Sequence, residues 1–237
     1  YQTYARSVLK FYDGIYNNFT RLFNVTLDNV DVQWYIPDFQ SLFTEAGKVP
    51  VFTGEKLGEI NINIALIRAV NGYVEVSAAH ELVHLFLGRD GLSPYDFLWF
   101  HEGMAQYISV NLVSDLGYEG AKNEKNNLEN GATRLIQLLG GENFGSISLQ
   151  DWTPGYQPPN ADFGSLYIAS YYVVSRLPQI VHREGLNYYD SFFTLIHGAK
   201  VNNINVLALY LSTAANASVA LTLQSWGFAV ADLYNSP

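Results

Sequence analysis

Two histidines four residues apart, His80 and His84, with Glu81 directly after the first, are the residues of this 237-residue chain best placed to do chemistry. On a helix, positions i and i+4 share a face, so both imidazoles can direct nitrogens at one metal ion. Glu81 is turned from that face by roughly 100 degrees. Its carboxylate can therefore reach a water on the metal without being a ligand itself. Such an arrangement offers metal-assisted hydrolysis with a carboxylate as general base. Ala78, Ala79, Leu82, Val83, Leu85 and Phe86 make the segment apolar nearly all round, as expected of a buried helix. Buried histidines and a buried glutamate need partners, because an unpaired buried charge is costly. A zinc ion would supply one; ordinary hydrogen bonding within a core is the plainer alternative.

The helix carrying these residues should begin near Ser77 and stop at Gly88, a residue suited to a left-handed cap. A second helix is expected over residues 95–113. Ahead of both, Leu9, Phe11, Ile15 and Phe19 fall near helical spacing within residues 4–19. Residues 30–36 alternate like a strand ended by Pro37, and residues 60–70 form a β-type run closed by Asn71-Gly72. Residues 140–164 are rich in Gly, Pro, Asn and Asp and read as a long loop, a class that often carries function. Helices are expected over 165–177, 188–197, 206–211 and 218–230. Strands first and helices afterwards argue an α+β fold in one domain, with a strand-rich lobe over 1–75 and a mainly helical lobe over 76–237.

Composition narrows the function classes. A formal charge of -9 leaves no basic stripe for a phosphate backbone, so no nucleic acid is expected as partner. Gly140, Gly141 and Gly145 do not follow a strand, which argues against a dinucleotide loop. The absence of cysteine removes disulfides, thiolate nucleophiles and cysteine-held zinc, so a metal must rest on His, Asp or Glu. No apolar run is long enough for a membrane span; residues 206–230 come closest but are interrupted by Ser212, Thr213 and Asn216 among others. The sequence opens on Tyr1 rather than Met, as expected of a processed or excised chain, and leaves a removed leader or anchor open. Asn18, Asn24 and Asn216 stand in N-glycosylation acceptor patterns. Their use would imply export, but chance alone predicts about two such sites; the acidic charge, the missing Met and the absent cysteines favour an extracellular or cell-envelope location.

Downstream of His84, the run Trp99-Phe100-His101-Glu102-Gly103-Met104-Ala105-Gln106-Tyr107 resembles the second helix of the gluzincins, the zinc peptidases typified by thermolysin and the aminopeptidase N family. Their pattern is close to NEGFAxY, and its glutamate is a zinc ligand. The resemblance centres on Glu102-Gly103-x-Ala105-x-Tyr107, with His101 in place of Asn and a spacing one residue shorter than in aminopeptidase N. It implies a zincin-like fold, one catalytic zinc ion, and His80, His84 and Glu102 as its ligands. Two rivals for the third place stay open. Asp90 stands six residues after His84, where metzincins place their third ligand, and His101 adjoins Glu102 but points about 100 degrees away.

Further along, Tyr167-Ile168-Ala169-Ser170 opening an apolar helix is similar to the aminopeptidase N segment whose tyrosine stabilises the oxyanion, without the Lys-Gly of that family. This assigns Tyr167 to that role by resemblance. Leu223-Gln224-Ser225-Trp226-Gly227-Phe228 is similar to the family's closing helix, and Gly58-Glu59-Ile60-Asn61 is a loose echo of GxMEN, whose glutamate grips a substrate amine. A strand-edge glutamate is the simpler account of Glu59. His182 and His197 fall in the helical part, as surface or capping residues or as substrate-facing imidazoles. The resemblance spans roughly residues 76–228 and implies a peptidase acting on a peptide or protein, with Glu81 as general base and acid. Two other classes stay in view: a zincin-like fold kept as a binding or cell-envelope module, and a zinc hydrolase of a non-peptide substrate.

Overall fold

The computed structural model describes residues 2–36, 38, 46–52, 56–63, 65 and 73–235. The first helix, α1 (Gln2–Phe23), buries Val8, Phe11, Tyr12, Ile15, Phe19 and Phe23, a stripe at three- and four-residue spacing. Leu9, expected on that stripe, is half exposed at 51%, and Val8 and Tyr12 take its place. Short strands follow: β1 (Val32–Tyr35), β2 (Gly47–Lys48), β3 (Val51–Phe52), β4 (Lys56–Leu57) and β5 (Ile60–Asn63). A mixed three-stranded sheet has the order β1-β5-β2, with β1 parallel and β2 antiparallel to β5. β3 and β4 form a separate antiparallel pair. Ile60 and Ile62 turn into the core and fix β5 as the strand that anchors the sheet. The expected continuation of that strand to Val70, the Asn71-Gly72 turn and Pro37 lie outside the described residues.

Helices dominate the rest: α2 (Tyr73–Arg89), α3 (Pro94–Asp115), α4 (Glu119–Leu139), α5 (Phe163–Ile180), α6 (Gly185–Ile196), α7 (Ile204–Ala215) and α8 (Ala220–Ser225). The architecture is therefore mixed α+β and mostly helical, and its β component is smaller than the strand-rich lobe expected from the sequence. Among the described residues no helix is long and apolar enough to cross a membrane. One contiguous core runs from Val8 in α1 to Val230 after α8, and α2 packs against α1, α3, α4 and strands β2, β4 and β5.

Two expectations are corrected. Gly88 does not end α2. The helix closes a turn later on Gly91 at φ +79, where Leu92 N–H donates to Leu87 O at 3.0 Å and Gly91 N–H to Gly88 O at 3.1 Å. This is the double bond pattern of a Schellman cap. Gly88 instead admits β4: a Cβ there would stand 2.4 Å from Leu57 Cδ1. The second correction is α8, which spans six residues rather than 218–230. It breaks at Gly227 (φ +87), where a Cβ would lie 2.5 Å from the Gly145 backbone nitrogen. No element was expected where α4 lies, and it carries only a narrow stripe of Ala121, Leu128, Ala132 and Leu135 among Asn, Lys and Glu.

The segment between α4 and α5 is a packed connection. It contains two 3₁₀ turns, Phe144–Ile147 and Leu149–Asp151, and buries Phe144, Ile147, Leu149 and Trp152. Glu142 ties it down, accepting from Tyr172 Oη at 2.5 Å and from Trp226 Nε1 at 2.9 Å.

Candidate metal centre

α2 and α3 build the site together. Their local sequences explain why they meet: α2 is apolar on most of its circumference, and α3 starts on Ser93, whose side chain accepts from Tyr95 N, followed by Pro94 in the first turn. α3 in turn lies against α5 without a side chain at Gly103. A Cβ there would stand 2.4 Å from the Ser170 carbonyl oxygen and 2.6 Å from Val174 Cγ2. That close approach sets the depth of the neighbouring residue, Glu102.

The pairing expected from the sequence is present. His80 Nε2 and His84 Nε2 are 3.2 Å apart, and Glu102 Oε2 lies 3.2 Å from the first and 3.6 Å from the second. These three residues form a group able to hold a metal ion. A tetrahedral ion bound at roughly 2.0–2.1 Å separates its ligand atoms by about 3.3 Å, and the three observed separations bracket that value. Glu102 Oε2 is buried and has no hydrogen-bond partner. A buried carboxylate oxygen without a partner is costly, and a cation among the three atoms removes that cost.

Electrostatics agree with an anionic third ligand. Burial alone would raise the Glu102 carboxyl, but His84 and His80 outweigh it and hold it well below the ordinary carboxylate range. Burial works against charge on His84, yet the charges of Glu102 and Glu81 leave it raised. A metal ion therefore competes with a proton at His84.

No family model, curated protein or solved structure matches this chain. The site stands on its own residues.

Glu81 is buried at 5% exposure and faces the sheet. A Cβ on Gly47 of β2 would stand 3.0 Å from Glu81 Oε1, so the missing side chain leaves room for the carboxylate beneath the strand. Tyr12 of α1 donates to Ala78 O at 3.0 Å, and burial and the Glu81 charge push its hydroxyl well above its usual pKa. Neither Gly47 nor Tyr12 carries a motif, and only the tertiary fold brings them to Glu81.

Tyr167 lies in the second turn of α5, with its ring edge-on against Trp152 at 5.1 Å and its carbonyl accepting from Gln106 Nε2 at 3.0 Å. It thus adjoins α3 one helical turn beyond Glu102. His101, a rival third ligand, is outside the triad. It is fully buried, with Nδ1 3.3 Å from His84 Nδ1 and Nε2 3.0 Å from Leu92 O. Burial and neighbouring His84 push it down to about 3, against the Leu92 carbonyl and Glu102, which raise it. Glu59 is exposed beside β5 and accepts from Gln33 Nε2, consistent with a strand-edge residue. His182 sits in an exposed turn at φ +53, and His197 caps the end of α6.

Asp90, the other rival, is also outside the triad, because the cap on Gly91 carries it past the end of α2. Its two carboxylate oxygens are buried without a hydrogen-bond partner, and His197 Nδ1 is 3.9 Å from one of them. Burial pushes its carboxyl up to about 7. The folded chain thus holds this proton more tightly than the unfolded one, so the Asp90 contribution to stability is complete below about pH 4 and is lost as pH rises through about 7. Asp90→Asn should exceed the wild type in stability at pH 8 by about 1 kcal/mol, roughly 2–4 °C in melting temperature. At pH 4 it should show no gain. Thermal melts at the two pH values check this; an equal gain at both would contradict a charged Asp90.

Proposed function

We propose that the chain is a zinc metallopeptidase of the gluzincin type, built on a zincin-like domain. The observation that carries this reading is the convergence of Glu102 Oε2 on His80 Nε2 and His84 Nε2, with Glu81 next to the first ligand and facing the sheet. Two imidazoles and one carboxylate make a donor set used by catalytic zinc, and it leaves one of four positions for water or substrate. When bound, zinc supplies Lewis acidity, lowering the pKa of a water from about 15.7 towards about 7 and polarising a carbonyl.

The chain's own groups then have distinct tasks. Glu81, offset along α2 from the ligand face, takes the proton of the attacking water and delivers it to the leaving amine. Its burial beneath Gly47 keeps the carboxylate oriented. Tyr167 donates its hydroxyl to the oxyanion of the tetrahedral state, a role that rests on the resemblance of its segment. β2 is at an edge of the three-stranded sheet. An extended peptide can add to such an edge through main-chain hydrogen bonds, which favours a peptide over a non-peptide substrate. Asn18, Asn24 and Asn216 are all exposed, as glycosylation of an exported chain requires.

Chelator-stripped protein should cleave no casein, and one equivalent of zinc should restore cleavage. Cleavage that survives stripping, or fails with zinc bound, would sink the peptidase reading.

A further inference from the structure

His101 has a task that its position beside Glu102 conceals. The Leu92 carbonyl can only accept, so His101 Nε2, 3.0 Å away, carries a proton. The two Nδ1 atoms of His101 and His84 face each other at 3.3 Å, which leaves room for one proton between them. A neutral imidazole carries one proton, so with that proton spent on the Leu92 carbonyl the Nδ1 of His101 is bare and can only accept. The proton therefore belongs to His84 Nδ1, and His101 Nδ1 accepts it. The nearly parallel rings, 11° between planes, suit that bond. The other nitrogen of His84, the Nε2 that faces His80 and Glu102, is then left with a free lone pair.

We infer that His101 is a positioning residue for the metal centre, fixing the tautomer and orientation of His84 so that Nε2 is presented as a ligand; this rests on the reading of His80, His84 and Glu102 as metal ligands. The relay is anchored in the backbone, because Leu92 belongs to the cap that closes α2, its own N–H bonded to Leu87 O. α3 thus acts on the centre twice, through the Glu102 carboxylate and, one residue earlier, through the His101 imidazole. Without the relay, His84 is free to place its proton on Nε2, a form that cannot bind a metal.

The test uses zinc affinity by chelator competition and nitrogen-15 tautomer spectra of the zinc-loaded chain. His101→Phe keeps the bulk and loses both bonds, and should weaken zinc by about 10- to 100-fold. His101→Asn, whose carbonyl oxygen can stand near the place of Nδ1, should recover most of that loss. In the wild type, His101 should carry its proton on Nε2 and none on Nδ1. Equal zinc affinity in the wild type and His101→Phe, no recovery in His101→Asn, or a proton on His101 Nδ1 would each overturn the inference. The wild-type spectrum needs no variant, so it decides the matter even if His101→Phe fails to fold. Neither readout involves substrate. A chain that binds zinc with this tautomer yet cleaves no peptide refutes the peptidase reading alone, and a chain that binds no zinc at the triad refutes both.

Discussion

Glu81→Gln should retain stoichiometric zinc and lose peptide hydrolysis by about 10²- to 10⁴-fold, the usual contribution of a general base. The substitution is nearly isosteric, so the carboxamide fits the space that Gly47 leaves beneath β2. It cannot accept the proton of an attacking water at neutral pH. The loss should fall on kcat rather than KM, since the proton moves only in the transition state. Glu81 is not among the three metal-holding atoms, so zinc content should match the wild type. A variant with bound zinc and unchanged turnover would remove Glu81 from the chemistry and favour a binding or structural module.

Glu102→Ala should weaken zinc by at least about 100-fold, beyond the 10- to 100-fold typical of an outer partner. It deletes the only anionic donor of the triad and leaves two imidazoles alone. It also removes the charge that favours protonated His84, so the His84 pKa of the metal-free chain should fall. In the wild type, zinc affinity should drop as pH falls through the raised pKa of His84, because the metal must displace that proton. In Glu102→Ala this loss should begin at lower pH. Chelator competition across pH measures both, and stoichiometric, wild-type-strength binding by Glu102→Ala would move the third ligand elsewhere.

How far the sequence anticipates the molecule depends on whether a feature is local. The i, i+4 spacing of His80 and His84 is a property of one helix, and so was legible. Glu102 was legible through its setting of Gly103, Ala105 and Tyr107, and the structure places its carboxylate on both histidines. The exclusion of Asp90 was not legible, because it follows from a cap that ends α2 on Gly91 rather than Gly88. Both glycines suit a cap in sequence, and only the approach of Leu57 distinguishes them. Likewise α4 was hidden by a composition rich in Asn and Lys and by Gly131, whose bare backbone accommodates Ile168 of α5. The contacts of His101 with His84 and of Gly47 with Glu81 join separate elements, where no periodicity reports.

The most direct test of the central claim is an anomalous difference map at the zinc edge from crystals of the zinc-loaded chain. The account predicts one strong peak about 2.0–2.1 Å from His80 Nε2, His84 Nε2 and the Glu102 carboxylate. A strong peak at another set of residues, or none at this triad, would contradict it.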